Sequence, residues 1–328
     1  MQDKGGFGMR IVESMQKVPG GMMLIPLLLG SVVKTFAPGF LDYGSFTTAL
    51  FKNGASPLIA LLILATGAQI TLKQSKRVLT KTGVLLLAKT IIPGLLVIMY
   101  GYLFGKPGLA GFSLLAVLVA FINSNGGLWI ALASRYGNAD DQGAYIASAL
   151  NDGPFFSLLF LGLSGLGTIP WKYIVAAIIP FLVGFVWGNL DPRFAELMKP
   201  TPAITIPFFA FSLGAGIDLR SLVTGGVTGI VIGVAVTLIT GLLGYVSYKL
   251  LLKEKSAVGF AIGTTAGNSV ATPAIIADAD ASFKPFVSVA TSQVAASVLI
   301  TAVLTPILTH YLHTRTVGIT APSREVTQ

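Results

Sequence analysis

The sequence predicts an all-α polytopic membrane protein of ten transmembrane helices. They form two inverted five-helix repeats, with discontinuous crossing helices in the fourth and ninth spans. Three observations carry this expectation. Of the 328 residues, 53% are hydrophobic and only 11% charged, and the mean hydropathy is +0.80; an ordinary globular domain is about a quarter charged. The apolar residues gather in ten stretches, near 20–36, 55–72, 82–104, 109–135, 142–163, 170–190, 201–217, 222–251, 256–279 and 284–312. Most match the roughly 20 residues needed to cross about 30 Å of hydrocarbon. Motifs of the first half also recur in the second.

Between the stretches stand the usual breakers, such as Ala37-Pro38-Gly39, Lys106-Pro107-Gly108 and Asp191-Pro192. The 38 glycines and 17 prolines run through apolar segments rather than linkers, a habit that membrane helices tolerate. Before the first span, Met1 to Lys17 is polar and lacks a short apolar core with a cleavage site, so no cleaved signal peptide is expected. Gly5-Gly6-Phe7-Gly8 reads as a flexible leader, and Arg10 to Lys17 as a short interfacial helix.

Charge gives the orientation. Fifteen of the 22 Lys and Arg residues fall on the side holding both termini, six fall on the other, and Lys89 sits inside a span. Both termini are therefore expected in the cytoplasm. The formal charge of +9 does not point to nucleic acid, because the basic residues lie between apolar runs rather than on one face.

The repeat is visible in short strings. Ile25-Pro26-Leu27-Leu28-Leu29-Gly30 in the first span recurs as Ile179-Pro180-Phe181-Leu182-Val183-Gly184 in the sixth, an offset of 154. Gly67-Ala68-Gln69-Ile70-Thr71-Leu72 in the second recurs as Gly214-Ala215-Gly216-Ile217-Asp218-Leu219 in the seventh, an offset of 147. Five spans is an odd number, so the second half starts from the opposite side of the membrane. The expected divisions are a cytoplasmic segment 1–19, repeats 20–163 and 164–312, and a cytoplasmic tail 313–328.

An inverted repeat builds its site from interrupted helices near the midplane. Interruptions stand in matching places: Asn123, Ser124, Asn125, Gly126 and Gly127 in the fourth span, and Thr264, Thr265, Ala266, Gly267, Asn268 and Ser269 in the ninth. Such residues compete for helical hydrogen bonds or unwind the backbone. The groups so freed must face protein, water or a ligand, and half-helix N-termini offer N–H donors to an anion. These residues are the candidate substrate-binding set. A simple kink with internally paired polar groups is the plainer alternative.

Ionisable groups inside spans mark function by default, because they are costly there. Asp152 lies ten residues into the fifth span, about 15 Å deep at 1.5 Å per residue, and the helix is expected to run on through Asn151, Asp152 and Gly153. Ser148 and Tyr145 share its face. Lys89, about 10 Å into the third span, is a candidate partner for Asp152 or a residue that snorkels to the surface. With Asn151 and the weaker candidate Gln293 in the tenth span, these form the expected ion-coupling set.

Other chemistries are missing. Cysteine is absent, and the two histidines, His310 and His313, sit at the tail. No metal site, cofactor or histidine base is therefore expected in the membrane. No P-loop or Gly-x-Ser-x-Gly string occurs. A proton-coupled carrier, a sodium-coupled carrier and a channel or intramembrane enzyme remain as readings. The last is disfavoured, since a channel needs no bistable repeat and an enzyme would need a nucleophile, metal or base.

Strings spread over the whole chain resemble a known family. They are Lys17-Val18-Pro19-Gly20-Gly21-Met22-Met23-Leu24, Asn125-Gly126-Gly127-Leu128, Pro180-Phe181-Leu182-Val183-Gly184-Phe185, Ile206-Pro207-Phe208-Phe209-Ala210-Phe211 and Val270-Ala271-Thr272-Pro273 with Phe283-Lys284-Pro285. Their order and spacing are similar to those of the bacterial 2-keto-3-deoxygluconate permeases, grouped with the bile acid, arsenite and riboflavin transporters. The resemblance implies a bile acid sodium symporter-like fold, with a core domain from spans three to five and eight to ten and a panel domain from spans one, two, six and seven. It also implies proton symport of a sugar-acid anion across a bacterial plasma membrane. In the bile acid symporters the coupled ion is sodium, held by Asn, Ser, Thr, Gln and Glu at the crossover.

Overall fold

The computed structural model describes residues 11–17, 21–71, 76–216, 218–220 and 226–320. The leader at 5–8, the tail from 321, and Leu72 and Ile217 of the second repeated string lie outside these. Among the described residues every regular element is helical. Helix α1 is Ile11–Lys17, within the expected interfacial segment, and α2 is Gly21–Phe36. A bent pair follows, α3 Ser45–Phe51 and α4 Ala55–Ala68, with 58° between them. The third stretch is α5 Lys76–Leu86, a π-helical segment Leu87–Ile91 and α6 Ile92–Phe104, together a 29-residue apolar rod.

The fourth stretch is α7 Leu114–Ile122 and α8 Gly126–Tyr136. Ser113 starts α7 by accepting a hydrogen bond from Ala116 N at 3.2 Å, the usual hydroxyl cap. Then come α9 Ala139–Gly143, α10 Ile146–Asn151, α11 Phe155–Ser164, α12 Trp171–Leu190, α13 Pro192–Met198, α14 Thr201–Gly214 and α15 Gly226–Leu251. The ninth stretch holds two 3-10 turns, Ala257–Ile262 and Asn268–Ala271, then α16 Thr272–Ala279. The described residues end with α17 Val287–Thr320.

Among the described residues five runs are long and apolar enough to cross a membrane: Lys76–Phe104, Leu114–Ala133, Trp171–Leu190, Gly226–Leu251 and Ala281–Thr316. Two bent pairs raise that to seven, and Ile25–Phe36 and Thr201–Gly214 are shorter apolar helices. The ninth stretch departs from expectation. Its first half, Ala257–Ile262, is 3-10 rather than α, and it gives way at Gly263 to the Gly-, Ser- and Thr-rich break.

The fifth span also corrects the sequence reading, which ran a helix through Asp152. Here α10 ends at Asn151, Asp152 is extended with ψ 94°, Gly153 has φ +132°, and α11 begins after Pro154. The two parts are bent by 56°. Pro154 brings no N–H and pushes the residue before it out of helical space, and Gly153 takes a φ that side chains resist.

The repeated strings meet reciprocally. A Cβ on Gly30 of α2 would lie 2.1 Å from the Phe211 carbonyl of α14, and one on Gly184 of α12 would lie 1.9 Å from the Leu64 carbonyl of α4. By the offsets of 154 and 147, Gly30 matches Gly184 and Leu64 matches Phe211. Only glycine permits either backbone approach. Elsewhere α15 packs along α17, and α7 lies against both α6 and α17.

Candidate functional site

The two sequence-predicted breaks come together. At 123–125 the backbone leaves the helix, and Asn125 caps α8, its Oδ1 accepting from Leu128 N at 3.0 Å. Asn125 N donates to Thr264 Oγ1 at 2.8 Å, and Asn123 Nδ2 donates to Ser269 Oγ at 3.0 Å. Each break thus satisfies part of the other's freed polar groups, as hydrocarbon cannot.

The neighbouring helices hold the remainder. Ser124 donates to Asn151 Oδ1 through both N (3.1 Å) and Oγ (2.8 Å). Its Oγ also reaches Ser148 at 3.1 Å, and Asn151 Nδ2 donates to Thr90 Oγ1 at 3.1 Å. Across the site Thr265 N donates to Thr301 Oγ1 at 3.0 Å, and Thr265 Oγ1 lies 2.8 Å from Ser297 Oγ. Thr305 Oγ1 donates to Gly263 O at 2.6 Å. Ser297, Thr301 and Thr305 are fully buried and were missed in the sequence. Their signal was available, since hydroxyls at 297, 301, 305 and 309 form a stripe at helical spacing.

A cavity of about 280 Å³ opens beside the breaks. Its polar wall includes Asn125, Gly127, Asp152, Gly267 and Asn268, and its apolar wall Met22, Leu62, Ile206 and Phe209. Asp152 is half-buried. The Asn268 amide faces the Asp152 carboxyl, yet neither of its polar atoms closes a hydrogen bond of ordinary geometry. Asn123 Oδ1 is equally unpartnered among the described residues. Unsatisfied buried polar atoms are costly, and of these two residues Asn268 lines the cavity. Behind Asn268 lies a second cavity of about 130 Å³, walled by Gly153, Pro154 and Thr272.

Two expected members of the site sit apart from it. Lys89 is fully buried, but its Nζ donates to Ala120 O and Thr240 Oγ1, each at 3.3 Å. The pairing with Asp152 is not made, and the ammonium does not snorkel. Gln293 Oε1 accepts from Ser113 N (3.3 Å) and Oγ (3.0 Å), and its Nε2 donates to Gly111 O at 2.6 Å and Thr228 Oγ1 at 2.8 Å. It binds the start of α7 to α15 and α17 rather than lining the cavity.

Sequence reasoning also missed a buried ion cluster. Lys81, just before the third apolar stretch, is fully buried, with Nζ 2.5 Å from Asp141 Oδ1 and 2.9 Å from Glu254 Oε2. Tyr248 OH donates to Asp141 Oδ1 at 3.1 Å, and Trp129 Nε1 to Asp141 O at 3.1 Å. Arg77 joins at 2.8 Å from Glu254. Burial pushes the Glu254 carboxyl up, but the hydrogen bonds and charges of Arg77 and Lys81 outweigh it and hold the group below its ordinary value.

A broken-helix cavity of this kind suits a carrier, and comparison with known proteins identifies which. The family model for 2-keto-3-deoxygluconate permeases matches residues 12–317. The chain belongs to the 2-keto-3-deoxygluconate permease family. It is 43% identical over 304 residues to 2-keto-3-deoxygluconate permease 1 of Salmonella typhimurium, covering 93% of this chain and 96% of that protein. To the 2-keto-3-deoxygluconate permease of Escherichia coli strain K12 / DH10B it is 38% identical over 307 residues, covering 92% and 94%. Members of this family are permeases and not enzymes, and the multi-pass apolar helices agree with a membrane transport protein.

Proposed function

We propose that this chain is a secondary active transporter that imports 2-keto-3-deoxygluconate, a small sugar acid, by proton symport with alternating access. The observation that carries the reading is the amphipathic cavity between the two broken spans, with Asp152 on its polar wall. The names of its relatives supply the substrate. In this reading the substrate carboxylate is held by backbone N–H groups between 123–127 and 264–269, with Asn125 and Asn268 beside them. Asp152 carries the proton. An anion moving with one proton crosses without net charge.

The architecture is a ten-helix inverted repeat of the bile acid symporter type, in a bacterial inner membrane with both termini cytoplasmic. Reciprocal crossings at Gly30 and Gly184 support the repeat. Spans three to five and eight to ten form the core, and spans one, two, six and seven the panel. Gly21 and Met22, at the start of α2, line the cavity, which with cytoplasmic termini would lie towards that side. A second reading, sodium coupling, is favoured by the unpartnered oxygens Asn123 Oδ1 and Thr272 Oγ1, since Na⁺ is a hard cation that takes oxygen ligands. Counterflow and gradient-driven uptake of sugar acids in proteoliposomes tests both. Accumulation driven by a sodium gradient alone, with none from a pH gradient, overturns the proton assignment.

A further inference from the structure

A second, open cleft of about 610 Å³ lies at the far end of α2, where Lys34, Asp218, Lys284, Ser288 and Thr291 come together. It is distinct from the central cavity, which is lined by Gly21 and Met22 at the near end of the same helix. Lys34 comes from the last turn of α2, and Lys284 from the turn preceding α17. Neither forms an ion pair among the described residues. Lys52 and Lys106, by contrast, are matched with Asp42 and Asp280. Asp218 is the one carboxylate on the described wall, and its Oδ1 already accepts from Arg220 N at 2.8 Å.

The cleft therefore holds more positive than negative charge. Part of its wall is the first turns of the 34-residue helix α17, at Val287, Ser288 and Thr291. Ser288 and Thr291 supply hydroxyl groups there. The inner wall reaches Val270 and Ala271, immediately after the ninth-span break that lines the central cavity. Two lysines from distant parts of the chain, without ion pairs among the described residues, line one cleft together with hydroxyls, a lining whose chemistry suits a small hydroxylated carboxylate.

We propose that this cleft is an outer capture site for the sugar acid, in which Lys34 and Lys284 hold the carboxylate before it passes the ninth-span break. The assignment rests on the reading of the chain as a sugar-acid permease. A cleft with one sign of charge raises the local concentration of its ligand and does so less as salt rises.

Equilibrium binding of 2-keto-3-deoxygluconate to the full chain in zwitterionic nanodiscs tests this, because no lipid headgroup there offers a net negative charge. Wild type should show a tighter and a weaker, salt-sensitive site. Lys34→Gln with Lys284→Gln should lose the weaker one and raise the uptake KM about tenfold with unchanged maximal rate, while Lys34→Arg with Lys284→Arg stays near wild type and shows that the cleft folds. Asn268→Leu should lose the tighter site and keep the weaker. An uptake KM and binding stoichiometry unchanged in the double Gln variant overturn the proposal. Should wild type bind none of this sugar acid, the substrate reading fails, and the same variants judge the cleft against whichever carboxylate is taken up.

Discussion

Asn125 and Thr264, from breaks 139 residues apart, are joined by a 2.8 Å hydrogen bond from the backbone N of the first to the Oγ1 of the second. The bond makes the two interruptions one unit. Thr264→Val keeps the shape and removes the acceptor of this part-buried N–H, at a cost of about 1–3 kcal/mol. Thermal unfolding in detergent should show the drop in stability, while Thr264→Ser should restore it. A Val variant as stable as wild type would mean the breaks are held by other contacts.

Ligand binding should depend on Asn125 and Asn268, which share the polar wall of the cavity. Asn125→Leu loses the cap on α8, worth about 1 kcal/mol, and Asn268→Leu removes an amide whose atoms are otherwise unpartnered. Both variants should reach the membrane and lose 2-keto-3-deoxygluconate binding by tenfold or more, about 1.4 kcal/mol. Wild-type affinity in both variants would remove the breaks from the site.

The Lys81 cluster predicts a pH effect of known sign. Lys81→Met leaves Asp141 buried without its cation and should destabilise by about 3–5 kcal/mol, more than Arg77→Gln at the exposed edge. Glu254 sits below its ordinary value of 4.5 in the folded chain. Its contribution is therefore fully present above that value and is lost as pH falls through the lower folded value. Unfolding midpoints measured downward from pH 6 should decline below about pH 4.5 in wild type and less in Glu254→Gln. Parallel curves for the two would show that Glu254 does not titrate with stability.

What the sequence revealed and what it hid have physical causes. The breaks at 123–127 and 264–269 were legible because Asn, Ser, Thr and Gly crowd together in otherwise apolar spans. Asp152 was legible as a costly charge, but its place in a helix break was not, although Pro154 was the available sign. Lys81 follows Lys73, Lys76 and Arg77 in the chain and reads as one more solvated cation. Its burial depends on Asp141 and Glu254, 60 and 173 positions away, which no local pattern reveals. Lys89 misled for the same reason, since its bonds run to Ala120 and Thr240 on other helices.

Orientation is open to a direct check, because the chain has no native cysteine. Single cysteines at Lys52 or Lys106 should react in intact cells with an impermeant thiol reagent, and one at Lys76 should not, as the fifteen-to-six bias of basic residues requires. The reverse pattern would place both termini outside and turn the capture cleft to the cytoplasm.

In the proposed reading, coupling rests on Asp152. Its carboxyl is half-buried, stands at the end of α10 beside Gly153, and meets the central cavity on one side. The second cavity begins at Gly153 and Pro154, so movement about this break would turn the carboxyl from one cavity to the other. A group that changes surroundings changes its proton affinity, which is what a proton carrier needs. Lys89 is committed to Ala120 and Thr240, and no cation among the described residues lines the cavity, so the proposed role would fall to Asp152 without a partner charge. Asp152→Asn imitates the neutral acid at every stage. It should still bind 2-keto-3-deoxygluconate and exchange it across proteoliposomes. For one proton per anion, a pH step of one unit supports about tenfold accumulation in wild type, the same 1.36 kcal/mol that separates one pKa unit. In Asp152→Asn that accumulation should fall to none, and Asp152→Glu should recover part of it. If Asp152→Asn concentrates the sugar acid as well as wild type does, the carboxyl is a structural group, and the coupling ion has to be sought at the crossover of the two breaks, with sodium the favoured candidate.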